Sequence, residues 1–424
     1  MHDRFVWSTA AAAAMALLML HGNRLDAQER NEADIDPVLD RMDRRLEAVA
    51  DELVAVRRDI HRHPELSGEE ERTAAIVSER LAKLGFDVRT GVGGHGVVGT
   101  IRGGAGPVVA YRADMDAVVS TAPDPVPFRS ETPGVRHICG HDIHTTVGLG
   151  IAEALAAVRD ELPGTVKLIF QPAEESIEGA RAMIADGALD DPRPVAILAL
   201  HTAPLEVGQI GVIEGMVLPG LDLVRIRLSG DGDLKAAAER YADAFGEVST
   251  IGAPGPDLTI QGVPEFILAF LSGSERSGDD SWVLQGFVKA SGEDQYRRAK
   301  SALLAELDGI EIEGVSAEVE YLDRILKDTI NDQELLEAVA PTIRSRVGAA
   351  GLVVSRAPIP YFGEDFSFFQ EEIPGALFWL GVSNSEKGTV GLPHSPDYVA
   401  DEGSIQVGAR TMAGVILVLL REGG

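Results

Sequence analysis

The order of the apolar segments is the feature that most restricts the fold of this chain. Short apolar runs alternate with helical segments over residues 40–220, and helices are predicted over residues 40–63, Glu69–Leu84 and Thr146–Val158. The strand-like runs are FDVRTG, GVVGTIRG, GPVVAYRADMD, GTVKLIFQ, VAILALHTAP and GQIGVIEG. Buried strands that alternate with helices predict an α/β domain with a mostly parallel sheet.

The pattern changes at residue 221. LDLVRIRLSG alternates apolar and polar residues, as a half-buried antiparallel strand does. The segments that follow to residue 323 predict the order βαββαβ, which is the ferredoxin-like arrangement. Helix and strand patterns typical of the first region return after residue 324. We therefore predict a catalytic domain in two segments, 40–220 and 324–424, around an inserted lid domain, 221–323.

Charge and the N-terminal residues bear on partners and location. The net charge of -29 argues against nucleic acid and anionic membranes as partners. Arg4 precedes the apolar run Thr9–Leu20, and Leu25-Asp26-Ala27 follows. This pattern is typical of a signal peptide, here residues 1–27, although an uncleaved anchor has a similar pattern. We expect export to the periplasm or the medium and no stable membrane span in the mature chain.

The single cysteine lies in HICGHDIHTT, residues 137–146, among three of the chain's ten histidines. An inert buried residue, a nucleophile and a metal ligand are the three interpretations of such a thiol. Other potential ligands lie near the ends of predicted strands, where α/β sheets bind ligands. The full set of candidates is Cys139, His141, Glu174, Glu175, His201 and His394.

The chemistry of these groups favours a transition-metal site. Thiolate, imidazole and carboxylate together suit zinc, cobalt, nickel or manganese better than calcium or magnesium. Five ligands exceed the four of a closed structural zinc site. Two ions that share ligands and leave positions open for water fit this set better.

Seven motifs carry a resemblance to a known family. They are RRDIHRHPELSGEE, YRADMDA, HICGHDIHTT, FQPAEE, LHTAP, FGEDFSFF and PHSPDY. With these motifs the chain resembles the metal-dependent amidohydrolases of the aminoacylase/carboxypeptidase type. It is most similar to the branch with hippurate hydrolases, N-acyl-amino-acid amidohydrolases and auxin-conjugate hydrolases.

The resemblance implies a role for each candidate. Glu174 would be the general base, and two divalent ions, manganese or zinc before cobalt or nickel, would be held by Cys139, His141, Glu175, His201 and His394. The substrate would be a small N-acyl amino acid or a related amide. A dipeptidase or carboxypeptidase with the same metals, and a non-hydrolytic binding protein, are the alternatives. Residues expected to orient ligands or to be structural are Asp114, Asp116, Asp142, His144, Glu364, His61 and His63.

The lid departs from the family pattern. Relatives carry a histidine after the first lid strand that stabilises the oxyanion, often in a partner subunit. The corresponding stretch here, LSGDGDLKAAAER, has no histidine, and Lys289 stands near a position where relatives have arginine. Loss of one oxyanion donor costs on the order of a hundredfold in rate. The sequence thus leaves substrate preference and homo-oligomer formation open.

Overall fold

The computed structural model describes residues 36–252, 262–277 and 280–423. The predicted signal peptide lies outside the described residues. Residues Arg41–Gly424 form one compact unit, and the segment Met1–Asp40 is a separate one. The helical pattern predicted for residues 40–63 forms two helices, α1 (Pro37–Ala48) and α2 (Ala50–Arg62). A third helix, α3 (Glu71–Lys83), lies where the sequence predicts it.

The larger sheet has eight strands in the order β1-β2-β6-β3-β7-β16-β8-β15. Its strands are β1 (Asp87–Val92), β2 (Gly96–Arg102), β3 (Val108–Asp114), β6 (Thr165–Gln171), β7 (Ala196–Glu206), β8 (Ile210–Ile213), β15 (Leu352–Ser355) and β16 (Gly375–Ser383). The short strands beside it are β4 (Val118–Val119), β5 (Val135–Arg136), β9 (Met216–Leu218) and β14 (Thr329–Ile330). Four of its strand pairs are parallel: β3 with β6, β3 with β7, β7 with β16 and β8 with β15. The predicted mostly parallel sheet is therefore confirmed.

Helices α4 (His141–Ala156) and α10 (Gly403–Glu422) pack against each other and against this sheet. Every residue from His141 to Leu155 is buried. In the described part of the chain α10 is the helix long and apolar enough to cross a membrane, but 72% of its apolar window is buried within the protein. The remaining helices around the sheet are α5 (Gly179–Ala185), α8 (Gln333–Val347) and α9 (Phe366–Glu372).

The second sheet confirms the ferredoxin-like lid. Its elements are β10 (Leu221–Gly230), α6 (Leu234–Val248), β11 (Ile267–Arg276), β12 (Ser281–Ala290), α7 (Glu293–Asp308) and β13 (Val315–Leu326). The strand order is β11-β12-β10-β13, and each neighbouring pair is antiparallel. Val224, Ile226 and Leu228 face the two helices, while Arg225 and Arg227 between them are exposed. The exact domain boundaries stay a prediction.

Two details of the predicted elements were wrong, and both concern the candidate ligands. Helix α4 begins at His141, whereas its apolar period suggested Thr146. Its first turn is polar because these side chains have buried partners, so apolar periodicity does not reveal it. His201 was expected near the end of a strand but lies inside β7, which continues to Glu206.

Candidate metal centre

A glycine turn brings Cys139 and His141 to the start of α4. Gly140 has φ 99°, a left-handed conformation that favours glycine. A Cβ at this position would collide with Tyr398 Oη and lie 2.6 Å from Thr202 Oγ1. The turn therefore needs glycine both for its backbone angle and for its packing.

The structure brings all five predicted ligands together. Three groups of donor atoms each lie within 4.8 Å of one another. These groups are Cys139 with His141 and His201, Cys139 with Glu175 and His394, and His141 with Glu174 and Glu175. Cys139 belongs to the first two groups, so its sulfur lies where these two groups meet.

Hydrogen bonds orient the rings of the candidate histidines. Nδ1 of His141 donates to Asp116 Oδ1 at 3.0 Å, and Nδ1 of His201 donates to the carbonyl of Thr202 at 2.8 Å. These bonds use Nδ1 of each ring and direct Nε2 at the cluster, an arrangement common for histidine ligands. Nε2 of His394 lies 3.4 Å from Glu175 Oε1.

His144 is close to this cluster but is already satisfied. Its Nδ1 donates to Asp114 Oδ1 at 2.6 Å, and its Nε2 accepts from the backbone N–H of Thr202 at 2.8 Å. No nitrogen remains for a metal, so His144 braces the site. Asp142 is likewise occupied, by Arg57 Nε at 2.7 Å and His61 Nδ1 at 2.8 Å.

Glu174 lies beside a buried network centred on Arg112. The Arg112 guanidinium bonds Asp114 at 2.6 Å, Glu364 at 2.9 Å and Asp365 at 3.0 Å. Glu174, Glu364 and Asp365 place carboxylate oxygens within 4.8 Å of one another. Burial and the charge of Glu364 raise the pKa of Glu174 well above its usual range. The sequence reasoning missed Arg112 and Asp365, although both lie inside motifs that carried the resemblance.

The electrostatics of the cluster fit a cation. Burial raises the pKa of Glu175 to about 7 and that of the Cys139 thiol well above its usual range. Burial also lowers the pKa of His394 to about 4. Nε2 of His141 and Oε1 of Glu175 are buried without a hydrogen-bond partner. A divalent ion would supply the missing partner and the positive charge, so the residues present suit the metals that the resemblance implies.

A cavity of about 460 Å³ opens onto this cluster. Its walls are mostly apolar and come from both the large sheet domain and the lid. They include Ile177, Leu218, Leu221, Phe270, Phe287, Leu326, Ile359, Tyr361, Phe362 and Trp379. The aromatic lining comes from segments far apart in sequence.

Lys289, on lid strand β12, also lines this cavity. It is only 5% exposed, and its Nζ donates to the carbonyl of Phe362 at 2.7 Å. Burial lowers the pKa of Lys289 to about 7. Among the described residues no carboxylate forms an ion pair with it, so the side chain is a buried amine with unused hydrogen-bonding capacity.

An α/β metal-site domain with an antiparallel lid defines a metallohydrolase architecture. Residues 110–418 match the peptidase family M20/M25/M40, and the chain belongs to this family. The predicted resemblance is thus confirmed, and the chain is an amidohydrolase enzyme.

Relatives of known sequence include an IAA-amino acid hydrolase of Arabidopsis thaliana, ILR1-like 6. It is 33% identical over 375 residues, which cover 86% of this chain and 79% of the relative. The N-acetylcysteine deacetylase of Bacillus subtilis is 30% identical over 384 residues, covering 87% and 97%. A solved Bacillus subtilis structure, YXEP, described as a dinuclear metal binding peptidase from the M20 family, has 28% identity and a TM-score of 0.71. The matched region covers 88% of this chain and 99% of the YXEP chain.

Proposed function

We propose that the protein hydrolyses the amide bond of small N-acyl amino acids or closely related amides, with Glu174 as the general base. The observation that carries this proposal is the position of Glu174. It lies next in sequence to Glu175, within reach of the shared donor cluster, and at the wall of an apolar cavity. A binding protein has no need of a buried carboxylate with raised proton affinity at that point.

Each side chain has a separate task in this proposal. The five side chains that would hold two divalent ions are Cys139, His141, Glu175, His201 and His394. Such ions polarise an amide carbonyl and lower the pKa of water when bound. Glu174 takes a proton from the attacking water and returns it to the departing amine. A raised pKa makes the Glu174 carboxylate a stronger proton acceptor than an ordinary glutamate.

The cavity supports the choice of substrate. Its aromatic and aliphatic walls suit an apolar acyl group or side chain, and Lys289 is the cation placed to pair with a carboxylate. Two relatives, an IAA-amino acid hydrolase and an N-acetylcysteine deacetylase, are named for the cleavage of amides of amino acids. We propose the same general class here, with manganese or zinc as the first metals to test.

The test is hydrolysis of a panel of N-acyl amino acids by the purified chain, after chelation and refilling with manganese, zinc or cobalt. Metal-restored release of free amino acid supports the proposal. Glu174→Gln should lower turnover by at least about 100-fold while both ions stay bound. The matched control is Glu178→Gln, which removes an exposed carboxylate four residues away and should have no effect. Retained turnover in Glu174→Gln would overturn the mechanism.

We also propose that the protein is exported, and the pattern of residues 1–27 supports this. Mass spectrometry of the protein recovered from its native cell fractions tests it. A mature N-terminus near residue 28 in the periplasm or medium is expected, and a full-length chain in the cytoplasm would contradict it.

A further inference from the structure

The segment that carries His394 depends on outside contacts for its shape. His394 itself has φ 61°, which is uncommon for a residue with a side chain. Its backbone N–H donates to the carbonyl of Ile138 at 2.8 Å. Two residues further on, the carbonyl of Pro396 accepts from a side chain of the short strand β5. These contacts, together with the turn bond from the backbone N–H of Ser395 to the carbonyl of Leu392, hold His394 beside Glu175 in a segment that is neither helix nor strand.

That side chain is Arg136, which is 3% exposed. Its Nη1 donates to the carbonyl of Pro396 at 3.1 Å and to that of Ala122 at 3.4 Å. Its Nη2 donates to Asp124 Oδ1 at 3.4 Å. The carboxylate of Asp124 therefore offsets the buried positive charge of Arg136. Nη1, at the other end of the guanidinium, binds the segment that carries His394.

The same network reaches the other ligand-bearing segment. Asp124 Oδ2 accepts from His61 Nε2 at 3.0 Å, and His61 Nδ1 donates to Asp142 Oδ2 at 2.8 Å. Asp142 directly follows His141. A continuous chain of hydrogen bonds, partly buried and partly accessible, thus joins the segment of His394 to the turn that carries Cys139 and His141.

We infer that Arg136 is a positioning residue that holds His394 beside Glu175 and thereby sets the affinity for one of the two ions. The inference rests on the proposed metal site. Arg136 contacts neither a candidate ligand side chain nor the cavity lining in this structure. Because its hydrogen bond to the carbonyl of Pro396 acts on the segment of His394, we expect its main effect at the group of Cys139, Glu175 and His394. The group of Cys139, His141 and His201 has its own hydrogen bonds and should keep its ion.

The experiment is a titration of the metal-free protein with Co²⁺, followed by visible absorption and by the number of ions bound per chain. In Arg136→Met the first equivalent should bind as in the unmodified protein. The second should bind about 10- to 100-fold more weakly, as is typical when a supporting partner of a metal ligand is lost. Arg136→Lys, which keeps the charge against Asp124, should recover part of that affinity. Arg80→Met is the matched control, because Arg80 pairs with Glu153 and does not touch the His394 segment.

A double variant separates positioning from general damage to the fold. His394→Ala should lower the affinity for the same ion. When Arg136→Met is added to His394→Ala, the affinity for that ion should fall no further. A further loss in the double variant, equal weakening of both ions, or an unchanged second equivalent in Arg136→Met would each overturn the inference. If the unmodified protein binds no ions, the proposed function itself fails.

Discussion

The Sγ atom of Cys139 lies 3.4 Å from Nε2 of His201, although the two residues are 62 positions apart in sequence. The same sulfur also belongs to the group with Glu175 and His394. A sulfur atom that belongs to two donor groups stands where a metal ligand would be needed. Of the three interpretations, the metal ligand is the one that the surrounding histidines and carboxylates favour.

We expect Cys139→Ser to weaken the binding of both ions, because the neutral hydroxyl is a far poorer ligand than a thiolate. Turnover should fall in parallel, and elemental analysis after gel filtration should find fewer than two ions per chain. His63→Ala is a suitable control, since His63 is a partly exposed histidine bonded to the carbonyl of Asp59. Two tightly held ions and full turnover in Cys139→Ser would contradict a ligand role for the sulfur.

Much of this architecture could be predicted from the sequence because each apolar period matches one buried face. The lid strand LDLVRIRLSG is an example: Val224, Ile226 and Leu228 are buried and the arginines between them are not. The candidate ligands were predictable for a different reason. A cysteine and a histidine such as Cys139 and His141 have few structural roles in a stretch this polar. The order of the motifs along the chain then reduced the number of possible roles further.

The parts that escaped prediction depend on contacts between distant segments. The apolar cavity draws Phe287 from the lid and Trp379 from the central sheet, and no single run of sequence contains both. In the sequence Arg112 is one polar residue in strand β3, and nothing near it identifies its partners. In the structure its guanidinium pairs with three buried carboxylates. Pairwise partners of this kind leave no periodic signal along the chain.

The turn between the two ligands provides a test of the backbone. Gly140→Ala should destabilise the protein by about 1–3 kcal/mol and weaken the binding of both ions. The added methyl group would collide with Tyr398, and alanine is strained in a left-handed backbone conformation. Thermal unfolding with and without metal measures this. Gly134→Ala is the control: Gly134 has φ 76° but no atom within 4 Å of the added methyl group. Gly134→Ala should lower the stability only by the strain of alanine at a positive φ, and its metal binding should be normal.

Metal uptake by the chelated protein should depend on pH in a defined direction. Although burial opposes it, Asp114 and Asp116 raise the pKa of His141 to about 10, and burial raises that of Glu175 to about 7. Both groups carry protons below these values, and an incoming ion must displace them. The pKa of His394, lowered to about 4, leaves that ring neutral and available.

Affinity should therefore rise with pH, by up to about tenfold per unit for each proton displaced. Between pH 5 and 7 three protons compete, those on His141, on Glu175 and on the Cys139 thiol, and above pH 7 the protons on His141 and Cys139 remain. Calorimetric titration with Mn²⁺ in two buffers of different ionisation enthalpy reports both the affinity and the proton count. An affinity that is flat from pH 5 to 8, with no proton release, would contradict these protonation states.

The lid cation gives the sharpest test of substrate recognition. Lys289→Met should raise KM about 10-fold or more for N-acyl amino acids with a free carboxylate, because a charge-assisted hydrogen bond is lost. The same variant should treat the corresponding methyl esters as the unmodified enzyme does. Lys300→Met, which removes a lid-surface ammonium paired with Asp323, is the matched control.

The protonation state of Lys289 adds a second readout. In the free enzyme burial lowers the pKa of Lys289 to about 7, so the ammonium is present below pH 7 and is lost as pH rises. KM for the carboxylate substrates should increase through that range, and Lys289→Met should abolish the trend. If Lys289→Met instead lowers kcat equally for acids and esters, the amine acts on the reacting carbonyl, where relatives use a lid histidine, and not on the carboxylate.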